Sequence, residues 1–268
     1  MHATTLALVG ATGGAGTTRT AVELAALGAR DGRDVAVIDA AFTTQGLSEY
    51  VTGRIETDCT ALVTDSTGAS LSAAAYPLAV GGESNGDRLT GVDSGADLRG
   101  RVDAIPAYAP FERMARAKTA EAAQKLSGRI DDAATAYDAV IVDAAPVGSN
   151  EAVGAVTAAD RVEAVYPATT HGKDALQRLR GRIADIGSSV DGSIAIARDG
   201  ASQGGLDSVD NDAEILLPKT EPAVASAPVT ATGTGAYTQA IADAYASVFD
   251  TSIGIEFDES GVLDRLRS

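Results

Sequence analysis

The strongest constraint on this chain is a turn. The apolar run Leu6-Ala-Leu-Val9 empties into Gly10-Ala-Thr-Gly-Gly-Ala-Gly16, where four of seven residues are glycine, and helical spacing begins directly afterwards. Glycines at this density let the backbone bend back on itself and bring N–H groups close to an anion. The helix start that follows adds the positive end of its dipole. Strand, glycine turn and helix in succession make a βα unit whose turn is a ligand site in open α/β sheets. The helix is predicted over Thr18 to Arg30, with Val22, Leu24, Ala25 and Leu27 on its apolar face.

The same rhythm recurs along the chain. Asp34-Val-Ala-Val-Ile-Asp39 reads as a second strand, apolar nearly throughout, as strands covered on both faces are. Further strands are predicted at Val102–Ile105, Ala139–Val142, Arg161–Tyr166, Ser193–Ala197 and Glu214–Leu217. Helices are predicted over Phe111–Tyr137, Asn150–Ala158, Lys173–Ile186 and Tyr237–Phe249. Alternating units of this kind specify an α/β fold: a mostly parallel β-sheet with helices on both faces, a three-layer sandwich. Two polar segments interrupt the rhythm. Asp65–Gly100 reads as a loop with one helix near Ser70–Ala75, and Asp199–Asp212 as an acidic surface loop. Units resume after each, so a single domain is expected over residues 1–250, followed by an acidic tail, 251–268.

Composition narrows the setting. The formal net charge is −16, and only four of the 21 basic residues are lysines. Acid-rich, lysine-poor surfaces stay hydrated and mutually repulsive in concentrated salt, so a halophilic, cytoplasmic setting is inferred. The balance argues against direct nucleic-acid contact, which needs a cationic patch. The single cysteine, Cys59, forms no internal disulfide and reads as a small packed residue.

Two resemblances follow from the glycine turn. Gly10-Ala-Thr-Gly13-Gly-Ala-Gly16 looks like the GATGxxG turn of NAD(P)-binding Rossmann dehydrogenases, with Asp39 placed to hold a ribose hydroxyl. None of the seven tyrosines is followed four residues later by lysine, so that family's catalytic pair is missing. The second resemblance covers far more of the chain. Aligned on Gly13, Gly14 and Gly16, the turn resembles the deviant Walker A loop K-G-G-x-G-K-[ST] of the MinD/ParA P-loop family, with Thr12 and Thr17 in the lysine positions. Val35-Ala-Val-Ile-Asp39-Ala-Ala41 is similar to the strand ending in D-x-D, with Ala41 replacing the second aspartate. Tyr137-Asp-Ala-Val-Ile-Val-Asp143-Ala-Ala-Pro146 is similar to the Walker B strand, and Thr157–Pro167 to the family's ADxVxxVxxP strand. Ser193–Arg198 resembles the strand ending in Asn-Arg, with Ala197 in the position of the base-reading asparagine. Leu217-Pro218 with Ala223–Ala227 resembles a late IPxDxxVxxA segment.

This resemblance implies a nucleotide site lined by Gly13, Gly14, Ala15, Gly16, Thr17, Thr18 and Asp39, taking ATP or ADP weakly or not at all, with Mg²⁺ on Thr18 and Asp143. With both lysines, the second aspartate and the asparagine replaced, it implies no catalytic residue and a pseudo-ATPase acting in positioning or partitioning. Protein partners are expected, an active paralogue or a second copy. A true ATPase with a lysine-free loop is the enzymatic alternative. Read on their own, Thr18 caps a helix and Asp143 closes a strand. Arg19 turns away from the loop as an ordinary surface residue, and His171 starts a helix on the surface. The end of the tail, Gly261–Ser268, resembles a short amphipathic membrane helix, with Asp264 and Glu259 opposing adsorption to anionic lipid.

Overall fold

The computed structural model describes residues 3–65, 68–79, 98–198, 214–221, 223–255 and 257. The acidic loop and the helix expected at the end of the tail lie outside them.

The strands are β1 (Thr4–Gly10), β2 (Val35–Asp39), β3 (Tyr76–Pro77), β4 (Val102–Ile105), β5 (Ala139–Ala144), β6 (Arg161–Pro167), β7 (Gly192–Ile196) and β8 (Glu214–Leu217). They form one sheet in the order β3-β4-β2-β5-β1-β6-β7-β8, parallel throughout except for β3 against β4. The helices are α1 (Thr17–Arg30), α2 (Cys59–Thr64), α3 (Phe111–Ala117), α4 (Ala120–Ala136), α5 (Asn150–Ala158), α6 (Thr170–Asp185) and α7 (Ala236–Val248).

Period-2 alternation divides the sheet between two cores. Leu6 and Leu8 face a cluster with Leu24 and Leu27 of α1 and Ile241 and Tyr245 of α7. Ala7 and Val9 point the other way, toward Leu62 of α2, Leu126 and Ile130 of α4, Val156 of α5 and Leu176 of α6. Both faces are therefore covered, which is why β1, β2 and β5 carry almost no polar residue. The chain continues past α7 onto the same domain: Ile253, Ile255 and Phe257 pack on the α1–α7 side.

The topology removes the dinucleotide resemblance. That fold sets its first two strands side by side. Here β5 lies between β1 and β2. Two local expectations also change. The helix expected over Phe111–Tyr137 is two helices, because the Thr119 hydroxyl accepts the Ala122 N–H and caps a new helix at Ala120. The helix expected near Ser70–Ala75 is a single 3₁₀ turn, Leu71–Ala74. Apolar periodicity carried no sign of α2, a six-residue helix capped by the buried Asp58.

Candidate functional site: the glycine loop and its two buried carboxylates

At the centre of the sheet, β1 delivers the glycine loop to the start of α1. The Ala11 N–H donates to the Val165 carbonyl and ties the loop to β6, and the Ala15 N–H donates to the Thr12 carbonyl and closes the turn. Gly14 (φ 69°) and Gly16 (φ 99°) both have left-handed backbones, a conformation that nearly any other residue would strain. Gly16 precedes the first helical residue, and its carbonyl accepts from both the N–H and the hydroxyl of Thr20. The N–H groups of Gly13, Gly14, Gly16, Thr17 and Thr18 meet no backbone carbonyl among the described residues. Five amides with no backbone partner among the described residues, at the start of a 14-residue helix, are an arrangement suited to an anion, a cradle in shape. Thr17 folds back over Gly10: a Cβ added there would lie 2.9 Å from the Thr17 Oγ1.

Beneath the cradle lie two carboxylates. The Thr18 Oγ1 donates to the Asp143 Oδ2 at 2.6 Å, joining the first turn of α1 to the end of β5. Asp39 is the register partner of Asp143 on the adjacent strand, and both are buried. Asp39 accepts the Ala41 N–H at 2.9 Å and the Ala107 N–H at 3.4 Å, and the Leu47 N–H also favours its charged form. It thereby gathers the loops that follow β2 and β4. Burial pushes the Asp39 carboxyl well above the usual carboxylate range, and the charge on Asp143 pushes it further. Burial raises Asp143 too, against the opposing hydrogen bond from Thr18. At zero exposure, with backbone donors on both oxygens, Asp39 is turned into the protein.

The remaining candidates are distributed as follows. Ala41, in the place of the second aspartate, is buried and offers no group to orient water. Ala197 follows β7, and its N–H donates to the Leu217 carbonyl. His171 stands exposed in the first turn of α6. Arg19 does turn away from the loop, but it is no surface residue. Its Nε pairs with the buried Glu23 at 2.7 Å, and its Nη1 reaches the carbonyls of Glu221 and Ala223. Glu23 in turn accepts the N–H groups of Val229 and Thr230 and the Thr230 hydroxyl. The Arg19–Glu23 pair thus fastens the late segment to α1.

Three contacts at this end of the sheet were not foreseen. The side-chain amide of Gln45 pairs in both directions with the backbone of Ala109, clamping the β2 loop to the β4 loop. The Lys118 Nζ touches the Thr43 hydroxyl at 2.8 Å and the Glu151 carboxylate at 3.4 Å. The Arg198 Nη2 donates to the Gly14 carbonyl at 2.5 Å, on the glycine loop itself. Only the last had a signal in the sequence, as a cation just beyond a strand that ends beside the loop.

A divalent ion fits the donor set. Mg²⁺ takes oxygen ligands and is commonly held by one or two carboxylates plus substrate phosphates and water, not by an all-protein cage. Thr18 and Asp143 supply a hydroxyl and a carboxylate in contact, directly below amides suited to phosphate. In P-loop proteins the loop hydroxyl and the Walker B aspartate hold the ion in this arrangement.

No protein-family model matches the chain, and no curated protein matches it. Solved structures do. The ATP complex of a McdA variant from Cyanothece superposes with a TM-score of 0.68 at 18% identity, covering 95% of this chain and 99% of that one. A ParA family ATPase from Chlorobium tepidum gives 0.68 at 16% identity, over 90% and 98% of the two chains. MinD from Pyrococcus horikoshii, complexed with Mg-ADP, gives 0.59 at 18% identity, over 81% and 82%. With the glycine loop, Thr18 and Asp143 set at the C-terminal edge of one mostly parallel sheet, the chain has the MinD/ParA-like P-loop NTPase fold.

Proposed function

We propose that this protein is a MinD/ParA-like pseudo-ATPase, which binds Mg-ATP or Mg-ADP in its glycine loop without normal hydrolysis and acts on cellular positioning or partitioning through protein partners. The observation that carries the reading is the Thr18–Asp143 contact under an open amide cradle whose two lysine positions hold Thr12 and Thr17. Phosphoryl transfer depends mostly on positioning and on charge placed against the transferring oxygens. A threonine offers a hydroxyl and no charge. Losing one charge-assisted hydrogen bond weakens phosphate binding by roughly 10- to 150-fold. The transition state, with more charge on those oxygens, loses more. Ala41 removes the carboxylate that would help activate water. Two of the similar structures hold ATP or Mg-ADP, which supports nucleotide as the ligand.

The partner is an active paralogue or a second copy of this chain, and the loops around the site form the face that nucleotide would reshape. The setting is a salt-rich cytoplasm, in keeping with the net charge of −16. Among the described residues no helix is long and apolar enough to cross a membrane.

Calorimetry with Mg-ATP and Mg-ADP in about 2 M KCl, run beside a phosphate-release assay, tests the reading. Binding without turnover is expected. Sustained turnover that disappears in Asp143→Ala would replace it with the lysine-free ATPase, and binding of neither nucleotide would leave a protein scaffold.

A further inference from the structure

The cations near the C-terminal edge of the sheet are nearly all committed. Arg19 is neutralised by Glu23, Lys118 faces Glu151, and Arg113 faces Asp58. Each of those three carboxylates is buried, so each cation is held by a charge that would be left stranded without it. Arg198 differs in two ways. It forms no ion pair among the described residues, and its guanidinium bonds to the glycine loop itself, through the Gly14 carbonyl. The strand before it also runs against the loop: a Cβ added at Gly16 would lie 3.6 Å from the Ile196 Cγ1. The end of β7 thus brings a positive charge, with no ion pair among the described residues, to the rim of a glycine loop that has no lysine in either expected position.

We infer that Arg198 supplies the positive charge of the phosphate site, in place of the lysine missing at Thr17. The inference rests on the nucleotide-site reading above and adds which residue faces the phosphates. A guanidinium is planar, stays charged and carries five N–H donors. One donor on the Gly14 carbonyl leaves others to bond a phosphate oxygen, and guanidinium–phosphate pairs form two parallel bonds readily. The anchoring carbonyl also orders the side chain before any ligand arrives, so less rotamer freedom is lost on binding. Arg198 acts here as a binding residue for the polyphosphate and does nothing for the nucleobase.

The test compares the full-length wild type with Arg198→Lys, Arg198→Gln and Arg198→Ala. Each is titrated by calorimetry with Mg-ATP, Mg-tripolyphosphate and adenosine, after circular dichroism shows native folding. Lys keeps the charge, whereas Gln keeps a donor for Gly14 and loses the charge, so this pair separates electrostatics from loop anchoring even if the alanine variant misfolds. Expected is a loss of about 10- to 100-fold for both polyphosphates in the Gln variant, with the Lys variant much nearer the wild type. Polyphosphate binding by Arg198→Gln within twofold of wild type would overturn the inference and leave the nucleotide site standing. Equal losses for adenosine and Mg-ATP would overturn it in favour of a base contact. A wild type that binds none of the three ligands would overturn the nucleotide-site reading, and this inference with it.

Discussion

Asp39→Asn should make the ligand-free protein more stable at neutral and alkaline pH, and by an amount that depends on pH. Asp39 and Asp143 are register partners on adjacent parallel strands, both buried. Neighbouring strands lie about 4.8 Å apart, so two unit charges at that spacing repel by about 3.5 kcal/mol at an effective dielectric of 20. The Asn oxygen still accepts the 2.9 Å bond from the Ala41 N–H, and what is weakened is the long 3.4 Å contact from Ala107 and the favourable contribution of the Leu47 N–H. The net gain expected at pH 8 is therefore about 2–3 kcal/mol. Both carboxyls are raised by burial, so the folded state prefers them protonated. Stability is then fully present below the ordinary carboxylate value near 4 and falls as pH rises through the elevated folded values. The advantage of Asp39→Asn should accordingly be small at pH 4.5 and grow toward pH 8. Urea unfolding of wild type and variant at pH 4.5, 6 and 8 reads this directly, with Asp131→Asn on the exposed side of α4 as the control. A stability difference that is the same at all three pH values would refute the buried-pair argument. So would a variant less stable than the wild type at pH 8.

Three further outcomes follow from the same contacts. Thr18→Val removes the 2.6 Å donor to Asp143 and should abolish the Mg²⁺ dependence of nucleotide binding, while Thr18→Ser keeps it; calorimetry with and without Mg²⁺ would show equal dependence in both variants if Thr18 merely capped the helix. Thr17→Lys should raise Mg-ATP affinity at least 10-fold by restoring a charged donor, yet phosphate release should stay at background until Ala41→Asp is added. An unchanged affinity would mean either that Arg198 already fills the charge position or that the cradle does not face phosphate, and Arg198→Gln in the same background separates the two. Glu23→Gln leaves Arg19 without its partner and sets an amide NH₂ against N–H groups from the late segment. Its cost in urea unfolding should be about 3 kcal/mol, and a cost under 1 kcal/mol would deny the pair its anchoring role.

The sheet was largely legible because its order came from local pattern. Strands covered on both faces read as apolar runs, and β4 and β8 fall on the residues expected. Where a polar side chain decided the boundary, pattern failed. Alanine-rich spacing continues straight through Lys118-Thr119, and only the capping hydroxyl of Thr119 separates α3 from α4. Similarly, α2 is too short for periodicity and is held by Asp58, whose other partners, the Tyr108 N–H and Arg113, lie some 50 residues away. The glycine loop was legible as a ligand site, and Thr18 and Asp143 as its metal candidates, but their contact spans 125 residues of sequence. Helical geometry placed Arg19 away from the loop; it could not show that the late segment folds over that face and covers most of it.

How the loop is held also explains how a glycine turn can keep its shape while carrying Thr12 and Thr17 where the loops it resembles carry lysine. The loop is held mainly through its backbone: the left-handed glycines, the Ala11 tie to β6, the Gly16 carbonyl taken up by the N–H and hydroxyl of Thr20, and the Gly14 carbonyl taken up by Arg198. No hydrogen bond in that set uses the side chain of Thr12 or Thr17. Substitution at those two positions therefore alters the electrostatics of the cradle with little effect on folding, whereas substitution at Gly16 strains the entry to α1. The carboxylates below obey a different logic. Asp39 organises the loops after β2 and β4 through backbone donors, so it serves the fold whether or not a nucleotide binds. Asp143 has no such second use; its hydrogen bond goes to the Thr18 hydroxyl alone among the described residues. A buried carboxyl held by one hydroxyl is poor structural economy unless a cation visits it. Of the two carboxylates, Asp143 is the one that supports the proposed metal site.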